Sequence, residues 1–359
     1  MHLSHLRLRD FRNYGRLDVE FTPGFHLFLG NNAQGKTNIL EAIYFLSTLR
    51  SFRGVASAQI VRHGQAGFFV GGKTHHAGDH EVKIYWSSKE RNLAVDGRSV
   101  RRMSEFLGVF RSVVFCSEDI QLVKGPASRR RRYLDLLLTQ THPTYLPLLQ
   151  RYTRSVRSRN ALLKQRVLDP TALEAFTREM IATGEQLMQL RQRLLPEITP
   201  IACDAYRRIT NAAEEFRLDY TQSVRGDFAI ELRKNEARER VMRTTLVGPH
   251  RDELVLKLND TSVAQFGSEG QKRSVVIALK MAQAEYLTQI HGSPPVLLID
   301  DIMGELDLKR RSGFLPLLRR VHQAHSQVFM TCTEENWPAE LGKDLQRWEV
   351  KAGKISRQA

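Results

Sequence analysis

Eight consecutive residues carry the clearest chemistry in this sequence. Gly30-Asn31-Asn32-Ala33-Gln34-Gly35-Lys36-Thr37 matches G-x-x-x-x-G-K-[ST], a loop whose backbone N–H groups wrap a phosphate. Gly30 and Gly35 permit the wrapped backbone, Lys36 would neutralise the β- and γ-phosphates, and Thr37 would ligate Mg²⁺. Asn38 opens the helix that follows, so Gly30 to Asn38 is the candidate nucleotide loop. Far downstream, Val296-Leu297-Leu298-Ile299 ends in Asp300-Asp301. Two successive acids repel each other and cost stability unless a cation relieves them. Beside a phosphate loop, Asp300 would hold Mg²⁺ and Asp301 would orient an attacking water as general base. Between these sites, Phe266-Gly267-Ser268-Glu269-Gly270-Gln271 leads into a helical stretch. Two readings stay open there. Ser268 is an ordinary N-cap, or Ser268, Gly270 and Gln271 form a second helix end facing a γ-phosphate held by another subunit.

The elements that must position these residues follow from texture. Phe25 to Leu29 reads as a strand running into the phosphate loop, with a helix from about Asn38 to Leu49 after it. Gly67 to Gly71, Val82 to Trp86 and Leu254 to Leu258 also read as strands. Val296 to Ile299 and Gln327 to Met330 are nearly all apolar, as in strands buried on both faces of a sheet. From about Ser104 to Arg240 the periodicity is helical, and Pro143, Pro147, Pro170, Pro196 and Pro200 are expected to divide it into several helices. No fixed repeat and no sustained heptad is present.

Lys and Arg number 54 against 39 Asp and Glu, a net charge of +15, which favours a polyanionic partner. The excess is concentrated: from Gln121 to Leu168, eleven bases face the single acid Asp135. A helix over 149–167 would place Leu149, Tyr152, Val156, Leu163 and Val167 on one face, with Arg154, Arg157 and Lys164 opposite. These, with Arg129 and Arg130, are the candidate DNA contacts, through the backbone and with little base specificity. A solvated face is the alternative for any single arginine, and part of the Arg129–Arg132 run could pair with acids of the other lobe. Cys116, Cys203 and Cys332 are widely spaced and read as reduced thiols; no apolar run approaches a membrane span, and a cytoplasmic location is expected. His75 to His80 fits no defined metal-ligand set and reads as a hairpin. His250-Arg251-Asp252 is either an internally paired loop or a nucleotide or DNA contact.

Taken together, these blocks resemble the ATPase heads of ABC transporters, SMC proteins and the RecF family. In that likeness Gly30–Thr37 is Walker A, Ser268–Gln271 the signature, Leu297–Asp301 Walker B and Gly304-Glu305-Leu306-Asp307 the D-loop. Lys36 and Asp300 stand 264 positions apart, too far for a compact transporter subunit, and no long coiled coil fills the interval. The RecF family is the nearer match, with Leu8–Tyr14, Asn31–Asn38, Ser51–Arg53, Phe115–Ile120, Gly125–Asp135, Gly248–Asp252 and Asp300–Asp307 resembling its blocks in order.

The resemblance implies an α/β, P-loop ABC-type ATPase head with a strand-rich N-terminal part. Residues 1–115 and 265–359 would form a discontinuous ATPase lobe, and 116–264 a mainly helical lobe leading into the signature segment 266–273. It also implies ATP and Mg²⁺ as cofactors and an ATP-dependent homodimer in which Lys36 of one chain lies opposite Ser268 of the other. The expected activity is weak, DNA-stimulated ATP hydrolysis that serves as a switch in recombinational repair and replication. DNA, especially duplex/single-strand junctions, RecO and RecR, with RecA downstream, would be the partners. Asp301 stands where glutamate is commoner, and Thr331-Cys332-Thr333 where transporters place a switch histidine, so slow turnover is expected. Ser117 to Gln121 is the candidate Q-loop, through Glu118 or Gln121, and reads equally well as a helix-entry turn. Two other functions compete: a transporter ATPase subunit, and a DNA scaffold that no longer hydrolyses nucleotide.

Overall fold

The computed structural model describes all residues except 77, 211–213, 306, 333–344 and 359. Its strands are β1 (His2–Phe11), β2 (Tyr14–Glu20), β3 (Gly24–Leu29), β4 (Gly67–His75), β5 (Asp79–Ser87), β6 (Arg91–Val95), β7 (Arg98–Ser99), β8 (Ser112–Cys116), β9 (Phe216–Thr221), β10 (Glu253–Leu258), β11 (Thr261–Ser262), β12 (Val296–Asp300), β13 (Gln327–Cys332), β14 (Leu345–Lys351) and β15 (Lys354–Arg357). Its helices are α1 (Lys36–Thr48), α2 (Met103–Phe106), α3 (Gln121–Lys124), α4 (Ala127–Thr141), α5 (Tyr145–Leu163), α6 (Pro170–Thr210), α7 (Phe228–Met242), α8 (Val263–Phe266), α9 (Glu269–His291) and α10 (Leu308–Gln323). The chain divides into two units, one of residues 1–120, 204–213 and 273–359, the other of 121–203 and 214–272. The cuts expected after 115 and 264 thus fall a few residues early, and the return of 204–213 to the first unit had no sequence signal.

In the first unit, the apolar runs become neighbours in a six-stranded sheet ordered β15-β14-β3-β13-β12-β8. Every pairing from β14 to β8 is parallel, and only β15 runs against its neighbour. Strands buried on both faces need apolar residues throughout, which is why β12 and β13 lack alternation. Registers align Asp300 with Thr331 and Cys116, and Cys332 with Leu29. The phosphate loop, after β3, and both acids, at the end of β12, therefore emerge at the same carboxyl edge of the parallel sheet with β13 between them, the usual ligand side of such sheets. A second, antiparallel sheet is ordered β2-β1-β4-β5-β6-β7. α1 packs on strands of both sheets, which explains why it is buried nearly all round, Ile39, Leu40 and Ile43 being fully so.

The second unit is mainly helical but contains a small sheet ordered β11-β10-β9. Two strands, β8 and β9, lie inside the stretch whose periodicity suggests helix alone. The prolines also behave differently from expectation. Pro143 separates α4 from α5, Pro147 sits in the first turn of α5, and Pro170 opens α6, positions where a missing N–H costs little. Pro196 and Pro200, however, lie inside the 41-residue α6 without dividing it. An interior proline costs about 3 kcal/mol. Leu194, Ile198, Ala202, Ala205, Tyr206 and Ile209 are almost completely buried along the same stretch. At ~1.5–3 kcal/mol for each large side chain, that burial outweighs the lost hydrogen bonds.

Candidate nucleotide-binding site

β3 delivers the chain to Gly30 at φ 145°, and Gly35 N-caps α1 at φ 116°; both values lie where only glycine is unstrained. A Cβ on Gly30 would approach the Val350 carbonyl oxygen to 2.4 Å, and one on Gly35 would come within 2.6 Å of Asn13 Nδ2. The loop is thus clamped from two sides. Tyr14 Oη donates to the Gly35 carbonyl at 3.1 Å and Asn13 Nδ2 to that of Gln34 at 3.0 Å. From the β14–β15 hairpin, the Gly353 N–H donates to the Gln34 carbonyl and the Ala352 N–H to Gln34 Oε1. Asn38 Nδ2 in turn donates to Asn13 Oδ1. Behind the loop, Arg12 forks onto fully buried Glu41 at 2.8 and 2.7 Å, and Ser51 donates to the same carboxylate.

The chemical groups converge in the first unit. Lys36 Nζ lies on the Gly30 and Asn31 carbonyls at 2.5 and 3.0 Å. Burial lowers its pKa, while the nearby Asp301 and Asp300 carboxylates pull the other way. Thr37 Oγ1 donates to Asp300 Oδ1 at 2.9 Å, and Thr331 Oγ1 donates to the same oxygen at 2.7 Å. Burial raises the Asp300 pKa above the usual carboxylate range; the two threonine hydroxyls oppose it, Glu118 adds to it, and Arg53 lowers it. Asp301 is exposed, at φ 54°, a left-handed conformation that aspartate tolerates better than most residues. The adjacent acids therefore point into different environments rather than against each other.

This donor set fits a magnesium-bound triphosphate. Thr37 Oγ1 and Asp300 Oδ1, in mutual contact at 2.9 Å, are hard oxygen donors of the kind Mg²⁺ prefers and would hold it there. Lys36 would supply the cation for the phosphate oxygens and the loop amides the cradle. Glu118, in the turn Ser117–Ile120 after β8, reaches Asp300 electrostatically, whereas Gln121 is exposed at the start of α3. Of the D-loop segment, Leu306 lies outside the described residues, as does Thr333 beyond the end of β13.

In the second unit, Ser268 forms a capping box. Its Oγ accepts from the Gln271 N–H at 3.2 Å, and its own N–H donates to Gln271 Oε1 at 2.7 Å. Ser268 is exposed, with Phe266 exposed beside it. The N-cap reading is therefore correct as local structure, and it leaves a phosphate-facing role open. Gly270 lies in the same first turn.

The basic face is only partly as expected. α5 buries Tyr152, Val156 and Leu163, and Arg154 and Arg157 lie exposed on the other side, with Lys164 at its C-terminal end. With Arg129 on α4, these four side chains form no ion pair among the described residues. Arg130 does not belong with them. Its guanidinium forks onto Glu253 at 2.8 and 3.1 Å, and its third nitrogen bonds the Gly125 carbonyl at 2.9 Å. All three guanidinium nitrogens are used to tie α4 to β10 and to the turn before α4. Its partner lies in the same unit, not in the other lobe. Arg159, one of the eleven bases, is buried and paired with buried Glu239 at 2.6 Å, so it adds nothing to the surface charge. Val167 lies past the end of α5 and is 84% exposed, so it does not share the apolar face.

His250-Arg251-Asp252 is the internally paired loop. Tyr152 Oη donates to His250 Nδ1 at 2.5 Å, Arg251 bonds the Thr245 carbonyl, and Asp252 accepts from Tyr220 and from the Ser223 N–H. His75 and His80 pair with Asp79 and Asp96 around the β4–β5 hairpin, and no metal-ligating cluster occurs among the described residues. No disulfide joins the three cysteines, and no described helix is long and apolar enough to cross a membrane.

The clamp around the loop was not identifiable as such from sequence. Arg12, Asn13 and Tyr14 belong to a block that resembles a family pattern, but nothing in their spacing assigns them to the loop. The β14–β15 hairpin carries no motif at all.

Comparison with known proteins is consistent with this geometry. The family described as RecF/RecN/SMC N terminal domain matches residues 2–354. The DNA replication and repair protein RecF of Symbiobacterium thermophilum is 36% identical over 375 residues, covering 99% of this chain and 98% of its own. That of a Cyanothece species is 37% identical over 372 residues, with 99% and 98% covered. The solved structure of the recombination mediator protein RecF-ATP in the RecFOR pathway superimposes with a TM-score of 0.89 at 29% identity, covering 100% of this chain and 98% of that one. An Smc head domain from Pyrococcus furiosus superimposes with a TM-score of 0.57 at 14% identity, a likeness of fold alone.

Proposed function

The chain belongs to the RecF group of the RecF/RecN/SMC family of DNA replication and repair proteins, and from that premise we propose that it is an ATP-gated homodimer that binds DNA and hydrolyses ATP slowly. The observation that carries this reading is the convergence of Lys36, Thr37, Asp300 and Asp301 at the carboxyl ends of β3 and β12, the two strands that flank β13. Bound Mg²⁺ would neutralise charge on the β- and γ-phosphates. Thr37 and Asp300 hold it, Lys36 faces the phosphate oxygens, and Asp301, one residue further, accepts the proton of the attacking water.

Ser268 of a second chain completes the site in this reading. DNA lies along the exposed Arg129, Arg154, Arg157 and Lys164 side chains, with duplex/single-strand junctions preferred. RecO and RecR are the proposed partners, RecA loading the downstream outcome, and the cytoplasm the place of action. ATP then works as a switch: binding joins two chains, hydrolysis parts them.

Solution mass measured with and without ATP and DNA tests the proposal. The parent chain should double its mass with ATP, Lys36→Arg should stay monomeric, and Ser268→Ala should dimerise weakly. Mass independent of nucleotide in the parent chain would refute the reading.

A further inference from the structure

Glu214, Gln271 and Ser268 form a directed chain of hydrogen bonds within the second unit. Gln271 Nε2 donates to Glu214 Oε1 at 2.7 Å. Gln271 Oε1 accepts from the Ser268 N–H at 2.7 Å, and the Gln271 N–H donates to Ser268 Oγ at 3.2 Å. A carboxylate can only accept, so Glu214 determines which end of the Gln271 amide faces it. The opposite end must then be the oxygen, which is what the Ser268 N–H needs. Because Ser268 Oγ accepts from the backbone, its own proton is left to donate elsewhere. Among the described residues no acceptor takes it. Glu214 stands 57 positions before Gln271 and belongs to no motif.

We infer that Glu214 is a positioning residue for Ser268: acting through Gln271, it holds the serine hydroxyl as a hydrogen-bond donor toward a phosphate oxygen. This rests on the reading of Ser268 as the group that meets nucleotide held by a second chain. A lysine at position 214 would donate where the carboxylate accepts. It would draw Gln271 Oε1 toward itself and turn Nε2 against the Ser268 N–H, donor against donor. The cap would be lost even though the added positive charge by itself should favour a polyanion. Geometry and simple electrostatics thus predict opposite signs for one substitution.

The test uses the full chain and reads ATP-driven dimerisation by mass, together with ATP binding to the monomer. Glu214→Gln retains an acceptor and should stay within about threefold of the parent dimerisation midpoint. Glu214→Lys should weaken dimerisation about tenfold, the equivalent of one lost charge-assisted hydrogen bond, with monomer ATP affinity unchanged. Glu214→Lys with Gln271→Glu should restore it, because Glu at 271 accepts from both Lys at 214 and the Ser268 N–H in a Ser-x-x-Glu cap. Should Glu214→Lys fold poorly, Glu214→Ala makes the same comparison with an expected loss of about fivefold, beyond the range allowed for Glu214→Gln. Parent-like dimerisation in Glu214→Lys or Glu214→Ala, or no rescue by the paired change, overturns the inference. A parent chain that does not dimerise with ATP overturns the functional reading first, and this inference with it.

Discussion

Asp300 and Asp301 are neighbours in sequence, yet one is half-buried against two threonine hydroxyls and the other stands exposed near Lys36. In the proposed reading that division separates a metal ligand, Asp300, from a base, Asp301. Asp301→Asn should keep ATP binding and slow single-turnover hydrolysis on the order of a hundredfold, prolonging the dimer. Hydrolysis at the parent rate would refute the base assignment. Two histidines set a second expectation. His26 accepts from the Trp348 indole and bonds the Thr22 carbonyl; His250 accepts from Tyr152 and bonds the Thr245 carbonyl. Burial pushes each down to about 4. With the folded pKa below the unfolded value, protons bind more readily to the unfolded chain, so stability falls as pH drops from about 6.5 toward 4. Each contributes a slope of about 1.4 kcal/mol per pH unit within that window. Thermal melting from pH 7.5 to 5 should show it, and His26→Gln and His250→Gln should each flatten the acid limb; unchanged limbs would mean these rings are not buried neutral. At this scale the phosphate loop was legible because its eight residues are contiguous. The Arg12–Glu41–Ser51 network was not, because its members meet only after folding.

Elements were legible where one environment covers their whole length. β12 and β13 are apolar throughout because both faces are buried, and α1 follows from the loop that caps it. β8 is as fully buried as β12 and β13, but it begins on a serine and falls within the stretch read as helical, so its short apolar run did not stand out. α6 ran through two prolines because the burial of its apolar face, a tertiary effect, exceeds a local penalty. The same distinction governs the basic helices. Periodicity on α5 separates Arg154 and Arg157 from the buried face, but nothing local reveals that Arg159 meets Glu239 or that Arg130 meets Glu253. Changing Arg154, Arg157 and Lys164 together to Glu should therefore weaken DNA binding and lower the log–log salt slope by roughly three, without moving the melting temperature. Arg130→Gln should do the reverse, costing about 2 kcal/mol of stability while sparing the salt slope. A salt slope unchanged by the triple substitution would remove α5 from the DNA surface.

The whole chain returns to its first unit twice, at 204–213 and at 273, so the groups that handle phosphate are far apart in sequence. Residues 204–213 are too few to carry a pattern of their own, and for that reason their place in the first unit could not be anticipated. A net charge of +15 gives the molecule a standing attraction for DNA, which by itself would need no nucleotide. In the proposed reading, gating must then come from geometry: two chains joined through ATP would present two basic faces to one DNA, where a single chain presents one. Linkage makes this quantitative, because whatever factor ATP adds to DNA affinity, DNA must add to ATP affinity. For a coupling of about 1–3 kcal/mol, a DNA duplex should tighten ATP binding roughly 5–150-fold when hydrolysis is blocked by Asp301→Asn. The same duplex should leave ATP affinity unchanged in Ser268→Ala at concentrations where that variant stays monomeric. ATP affinity indifferent to DNA in the Asp301→Asn chain would show that charge alone recruits DNA and that the nucleotide controls something else.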